Sequence, residues 1–270
     1  MKAVALDLDG TLLNSSHSVS PLAIKTLLEL ENSGIKVVLA SARPIQSVLK
    51  IAQSIGLKNE MMIAGNGAII AQKDHKILYK KSIEKADLDH IFKIYKEFTA
   101  QYVKEKLTMH IYSEFNWLVP WNSQKAQEEA RIIGFLPNII GEEAYEIENA
   151  EKIMIVSEPI ILKQFSNFLI EKFSHLGIVL SKPDSLEINA YGVSKYTGVL
   201  EFAKINNLAI DEFICIGDGD NDEAMLKNCG FGVAMANASI AAKNAAKEVT
   251  LSNDQDGVAY FLRKYFSLNN

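Results

Sequence analysis

The hexapeptide Asp7-Leu8-Asp9-Gly10-Thr11-Leu12 sets two carboxylates on either side of one apolar residue, directly after the apolar run Ala3-Val4-Ala5-Leu6. That run has no helical period and reads as a buried strand. Side chains alternate along a strand, so Asp7 and Asp9 can face the same side. Two close carboxylates repel, and both stay ionised only where a cation lies between them or one takes up a proton. The plain alternative is a strand-to-turn boundary, where Asp and Gly are ordinary turn residues. Three other places in the chain weigh against it. Ser41 is a small hydroxyl that follows the run Ile35-Lys36-Val37-Val38-Leu39-Ala40. Lys195 stands alone at the start of a helical pattern. Asp218, Asn221 and Asp222 lie in Gly217-Asp218-Gly219-Asp220-Asn221-Asp222, after the run Phe213-Ile214-Cys215-Ile216. A lone lysine is normally a surface residue, and only its place in this set promotes Lys195. The carboxylates, amide, hydroxyl and ammonium together suit a hard divalent cation, Mg²⁺ first, beside a phosphoryl group. No His or Cys cluster offers a zinc site.

These residues must be brought together by the elements around them. Strands at 3–6, 35–40 and 61–64 alternate with helices. The first helix is opened by Ser20-Pro21, carries Leu22, Leu27, Leu28 and Leu30, and closes at Gly34; the second runs from Pro44 to about Leu57. This β-α-β-α-β order implies a parallel sheet with right-handed crossovers. In such a sheet the strand-end loops open on one edge and converge. Two short strands follow near 68–71 and 77–81. From Ser82 to about Tyr191 the texture changes. The segment holds Phe92, Tyr95, Phe98, Tyr102, Tyr112, Phe115, Trp117, Trp121, Phe135 and Tyr145. Alternating runs at 108–112, 152–157, 177–180 and 185–190 are separated by helical stretches, the clearest over 159–173. The first texture then returns, with strands at 212–216, 231–235 and 248–251 and helices between and after them. The expected fold is α/β: a Rossmann-like doubly wound parallel sheet core, residues 1–82 and 192–270, split by an inserted α+β cap domain, residues 83–191. Trp117 and Trp121 are expected in the cap core, with a substrate-facing wall as the alternative.

Bulk properties narrow the function classes. The chain has 270 residues, 48% hydrophobic and 23% charged, which suits a soluble globular protein. A net charge of −5 without a Lys/Arg block argues against a nucleic-acid surface. A small anionic substrate is still compatible, because a metal and a lysine reverse the local field. No apolar run reaches the ~18 residues of a membrane span. The N-terminus leads straight into an Asp-bearing strand and does not read as a signal peptide. Cys215 and Cys229 sit in apolar settings, which suits free thiols and a cytoplasmic location. His17, His75, His90, His110 and His175 are scattered and read as structural or surface residues.

Taken jointly, the motifs resemble those of the haloacid dehalogenase-like phosphohydrolases, in the Cof-type branch with an inserted α/β cap (type IIB). The likeness covers essentially the whole chain. Asp7-Leu8-Asp9-Gly10-Thr11-Leu12 matches the first motif, and Ser41, in Ser41-Ala42-Arg43 where the family more often has Thr-Gly-Arg, matches the second. Lys195 matches the third and the Gly217–Asp222 loop the fourth. Gly65-Asn66-Gly67-Ala68, Ala234-Met235-Ala236-Asn237-Ala238 and Asp256-Gly257-Val258 also look like the branch. Tyr196 stands where the family usually has Gly. The resemblance implies that Asp7 is a nucleophile forming an aspartyl-phosphate. It implies that Asp9 protonates the leaving oxygen and then activates water. Asp7, the Asp9 carbonyl and Asp218 would hold Mg²⁺, with Asp222 acting through metal-bound water or by pairing with Lys195. Leu8, Ser41, Ala42, Lys195 and Asn221 would hold the phosphoryl oxygens. Arg43 and Asn66 would face the substrate or the cap. Asp220 is assigned no ligand role. The implied activity is Mg²⁺-dependent hydrolysis of a small phosphorylated metabolite, a sugar phosphate or a phosphorylated cofactor, by a monomer or homodimer. The alternatives are a phosphomutase and a catalytically silent binding or regulatory module on the same fold. The cap would close over the site and choose the substrate.

Overall fold

The computed structural model describes residues 1–100 and 106–268; Tyr102 therefore lies outside the described residues. The chain divides into two compact units, Met1–Tyr79 with Ser194–Asn270, and Lys80–Val193.

The first unit is built on a five-stranded sheet, in the order Glu248–Val249, Phe231–Ala234, Phe213–Gly217, Ala3–Leu6, Lys36–Leu39. Every neighbouring pair in it is parallel. The central strands are apolar and fully buried on both faces, as a parallel sheet requires. Ala3–Leu6 lies at the middle, paired in register with Phe213–Gly217 on one side and Lys36–Leu39 on the other. The loops after these three strands consequently leave the sheet side by side. Ser20 caps the helix Pro21–Asn32 by accepting the Ala23 N–H at 3.0 Å. Its buried face is Ala23, Thr26, Leu27 and Leu30, while Leu22, expected in that stripe, points outward at 39% exposure.

One strand departs from the expected parallel order. Met61–Ala64 meets the main sheet through a single parallel bridge, Ala40 to Ile63. Its full pairing is antiparallel with Ile69–Gln72, in a separate three-stranded sheet with Ile77–Lys80. The cause is the turn Gly65–Gly67, which reverses the chain at once with Asn66 at φ 61°. This turn lies against the start of the helix Lys195–Ile205. A Cβ on Gly67, at φ 96°, would sit 2.1 Å from the Ser194 carbonyl oxygen, and one on Gly198 would sit 2.6 Å from Gly67 Cα. Glycine at both positions permits that approach.

The second unit is a six-stranded sheet in the order Leu176–Lys182, Ser185–Ala190, Lys152–Ser157, Leu107–Ser113, Asn116–Val119, Asn138–Ile139. Its pairs are antiparallel except the last. The helices Lys85–Thr99 and Pro159–Lys172 bury Leu88, Ile91, Tyr95, Leu162, Phe165 and Leu169 with one set of strand residues, including Met109, Ile153 and Ile188. The helix Gln124–Ile133 packs its apolar side with Tyr112, Trp117, Val119 and Met154. Both tryptophans join these cores, Trp117 fully buried and Trp121 partly. No helix of the described residues is long and apolar enough to cross a membrane.

Candidate active site

The site forms at the edge where the parallel strands end. Asp7 follows the central strand and is fixed there by its N–H, which donates to the Ile216 carbonyl at 3.0 Å. Asp218 follows the neighbouring strand. Gly10, at φ 78°, lets the first loop fold back beside Asp218: a Cβ there would fall 2.3 Å from Asp218 Oδ2. Thr11 Oγ1 then donates to Asp218 Oδ1 at 2.9 Å. Lys195 arrives from the helix Lys195–Ile205. Ser194 caps that helix, accepting the Thr197 N–H at 3.1 Å while Thr197 Oγ1 accepts the Ser194 N–H at 2.9 Å. This reciprocal cap places Lys195 in the first turn and turns its side chain inward, where it is only 2% exposed.

Lys195 Nζ donates to Asp7 Oδ1 at 2.6 Å and to Asp222 Oδ1 at 2.7 Å. The second oxygen of Asp222 accepts the N–H groups of Asp218 and Gly219, each at 3.0 Å. Asp222 thus ties the fourth loop to the lysine, the pairing role among the two expected for it. Carboxylate oxygens of Asp7, Asp218 and Asp222 lie within 4.8 Å of one another. Three carboxylates therefore share one ammonium, and formally two negative charges are in surplus. Burial works against the charge on Lys195, but Asp222 and Asp7 outweigh it and hold the ammonium above its ordinary pKa. The surplus falls on the acids. Burial, with repulsion from Asp222 and Asp218, pushes Asp7 well above the usual carboxylate range. Burial and Asp222 raise Asp218, against the hydrogen bond from Thr11. A hard divalent cation would cancel the two surplus charges with oxygen ligands already in place, so the donor set fits Mg²⁺.

The remaining expected residues form further contacts. Asn66 Oδ1 accepts from Asn221 Nδ2 at 3.0 Å, joining the Gly65–Gly67 turn to the Gly217–Asp222 loop. Ser41, Arg43, Gly65 and Asn66 are laced together by the main chain: Gly65 N–H donates to the Arg43 carbonyl and Asn66 N–H to the Ser41 carbonyl, both at 3.0 Å. Ser41 Oγ accepts the Arg43 N–H at 3.1 Å. Leu8 is fully buried, and Ala42 lies on the Ser41 loop, partly exposed. Asp9 does not join the acidic cluster. Its carboxylate faces Arg43, and Arg43, expected to turn toward substrate or cap, spends its guanidinium on Asp9. Burial tends to raise the Asp9 pKa, but the hydrogen bonds and charge of Arg43 win and lower it. Asp220 is exposed.

Two structural supports were not expected from the residues alone. Thr11 orients Asp218, and Asn237 Nδ2 donates to the Gly10 carbonyl at 2.7 Å, fixing the first loop from a distant part of the chain. Both lie inside the segments Asp7–Leu12 and Ala234–Ala238, whose residue types mark a motif but not these roles.

Comparison with known proteins finds relatives over nearly the whole chain. A family described as haloacid dehalogenase-like hydrolase matches residues 4–262. Phosphatase YwpJ of Bacillus subtilis is 28% identical, over 97% of this chain and 99% of that protein. The 5-amino-6-(5-phospho-D-ribitylamino)uracil phosphatase YcsE of Bacillus subtilis is 27% identical, over 98% of this chain and 96% of that one. The crystal structure of a haloacid dehalogenase-like hydrolase from Bacteroides thetaiotaomicron superposes with a TM-score of 0.88 at 27% identity, covering 98% of this chain and 99% of the other. With the family match spanning nearly its full length, the chain belongs to the haloacid dehalogenase-like hydrolases.

Proposed function

We propose that the protein is a Mg²⁺-dependent phosphatase that hydrolyses a small phosphorylated metabolite, a sugar phosphate or a phosphorylated cofactor, through an aspartyl-phosphate on Asp7. Its class is phosphoric monoester hydrolase. The observation that carries the reading is the buried cluster of Asp7, Asp218 and Asp222 around the Lys195 ammonium.

In this reading an oxygen of Asp7 attacks phosphorus while the bond to the leaving oxygen breaks. Asp9 gives that oxygen its proton. Asp9, now ionised, takes a proton from water, which attacks the aspartyl-phosphate and releases phosphate and the regenerated Asp7. Lys195, Ser41, Asn221 and the main chain at Leu8 and Ala42 hold the phosphoryl oxygens, and Asn66 positions Asn221. Positioning and charge neutralisation dominate the catalysis of phosphoryl transfer. Asp7, Asp218 and the Asp9 carbonyl would hold Mg²⁺, with Asp222 behind them; the ion supplies positive charge against the transferring phosphoryl group. The inserted unit supplies substrate choice, and the setting is the cytoplasm.

The test is release of inorganic phosphate from p-nitrophenyl phosphate and from a panel of phosphorylated metabolites, with and without Mg²⁺. Asp7→Asn is expected to lower turnover by at least 10⁴-fold while the circular dichroism spectrum is unchanged, because it removes the attacking oxygen rather than an accessory contact. Full Mg²⁺-dependent turnover in that variant would remove Asp7 from its role.

A further inference from the structure

Arg43 lies 34 residues from Asp9 in the chain, yet its guanidinium forks onto both oxygens of that carboxylate, Nε to Oδ2 at 2.7 Å and Nη2 to Oδ1 at 2.6 Å. The fork is itself held in place. Nη1 donates to Ser47 Oγ at 3.3 Å, the Arg43 N–H to Ser41 Oγ at 3.1 Å, and the Arg43 carbonyl accepts from Gly65 at 3.0 Å. The Arg43 side chain is 8% exposed, whereas that of Asp9 is 46% exposed. The main chain just beyond Asp9 is fixed by Asn237 at the Gly10 carbonyl. What Arg43 then sets in Asp9 is the direction of its carboxylate, the His17 imidazole lying at a longer 3.8 Å. A half-exposed carboxylate would otherwise sample several rotamers. A guanidinium matches it at two points with a planar, rigid fork, which an ammonium does not do.

We propose that Arg43 is the positioning residue of Asp9: it fixes the carboxylate that exchanges a proton with the leaving oxygen, rather than gripping the substrate. The proposal rests on the reading of Asp9 as that proton donor. In the step concerned, the electron pair of the breaking P–O bond passes to the leaving oxygen, which takes the Asp9 proton. An alkoxide needs that proton to leave, while a nitrophenolate hardly does. A misplaced Asp9 therefore harms alkyl esters selectively, and a lost phosphate or structural contact harms both kinds alike.

The experiment compares kcat/KM for an alkyl phosphate and for p-nitrophenyl phosphate, since that ratio reports steps up to loss of the leaving group. Arg43→Gln is expected to lower the alkyl value about 100-fold and the nitrophenyl value less than about tenfold, in line with a general-acid contribution. Arg43→Lys, with one contact point, should fall between, and it serves if the Gln variant does not fold. The double variant with Asp9→Asn should fall no further than Asp9→Asn alone. Equal losses on both esters, or no loss, overturn the proposal. If Asp9→Asn itself fails to discriminate between the esters, the acid–base reading falls and takes the proposal with it. If Asp9→Asn discriminates and Arg43→Gln does not, the positioning role alone is lost.

Discussion

Each unit of the chain buries a lysine, and the two are treated differently. Lys195 touches Asp7 and Asp222 at 2.6 and 2.7 Å, with Asp218 close by, so negative charge exceeds positive. Lys152, in the inserted sheet, pairs with Glu187 at 3.6 Å and lies 5.1 Å from the centre of the Tyr112 ring. Its ammonium has a carboxylate partner and an aromatic face beside it. A charge held by a partner is what a structural core tolerates. A surplus of carboxylates around one ammonium is a state that folding alone would not select, and it becomes comprehensible once a cation and a phosphoryl group are the intended occupants.

The largest expected effect separates the two lysines. Lys195→Met leaves Asp7 and Asp222 buried without a counter-charge, which costs on the order of 3–5 kcal/mol when a buried ionic partner is removed. Lys152→Met removes the ammonium beside Glu187, whose side chain is 11% exposed and within reach of water; the loss should be nearer the ~1–3 kcal/mol of one weakened buried polar contact. Urea unfolding of both variants at neutral pH in chelator decides the matter. A larger loss for Lys152→Met would invert the comparison.

A metal titration sharpens it. If the surplus charge is a cation site, Mg²⁺ at about 100 times its dissociation constant should stabilise the fold by about 2.7 kcal/mol. For units of this size that corresponds to roughly 5–10 °C in the unfolding midpoint. Asp218→Asn should abolish the rise. Glu187→Gln, at the Lys152 pair of the inserted unit, should leave it intact. Equal Mg²⁺ stabilisation in both variants would detach the effect from the acidic cluster.

Much of this site was legible in the sequence, for a physical reason. Carboxylates after an apolar strand, a Gly-rich acidic loop after another, and a lysine opening a helix all follow from local patterns, and a parallel sheet brings strand ends together. Partners across long separations were not legible. That the Arg43 guanidinium turns to Asp9, or that Asn237 holds Gly10, depends on side-chain directions that spacing does not encode. The same limit explains Met61–Ala64. Its apolar run announces a strand but not a partner, and the reversal at Asn66 hands it to an antiparallel neighbour. By residue type Leu22 belongs to the buried stripe, whereas Ala23 and Thr26, weaker in hydrophobicity, occupy it. In the insert the four longer alternating strands stand out, and Asn116–Val119 and Asn138–Ile139 are too short to show a period.

The smallest effect concerns the interior of the inserted sheet, where satisfaction of polar groups is least complete. His110 is fully buried and stacked on Trp117 with ring centroids 5.6 Å apart at 11°, and neither ring nitrogen has a hydrogen-bond partner. Burial, aided by Lys152, lowers its pKa to about 3. The imidazole therefore stays neutral in the fold, while in the unfolded chain it takes a proton as pH falls through its ordinary value of about 6.5. Between those two values the unfolded state binds more protons, so this residue's share of stability is complete above about 6.5 and is lost progressively as pH drops toward 3. The slope is at most about 1.4 kcal/mol per pH unit. His110→Phe keeps a flat apolar ring and removes both the unpaired nitrogens and the titration. It should be neutral or slightly stabilising at pH 7.5, and its advantage over the parent should widen on going to pH 5.5, read as the difference in urea midpoints between the two proteins. The acidic cluster of the core is common to both proteins and cancels in that difference. An advantage that stays constant with pH would show that His110 takes up its proton as readily in the folded inserted unit as in the unfolded chain.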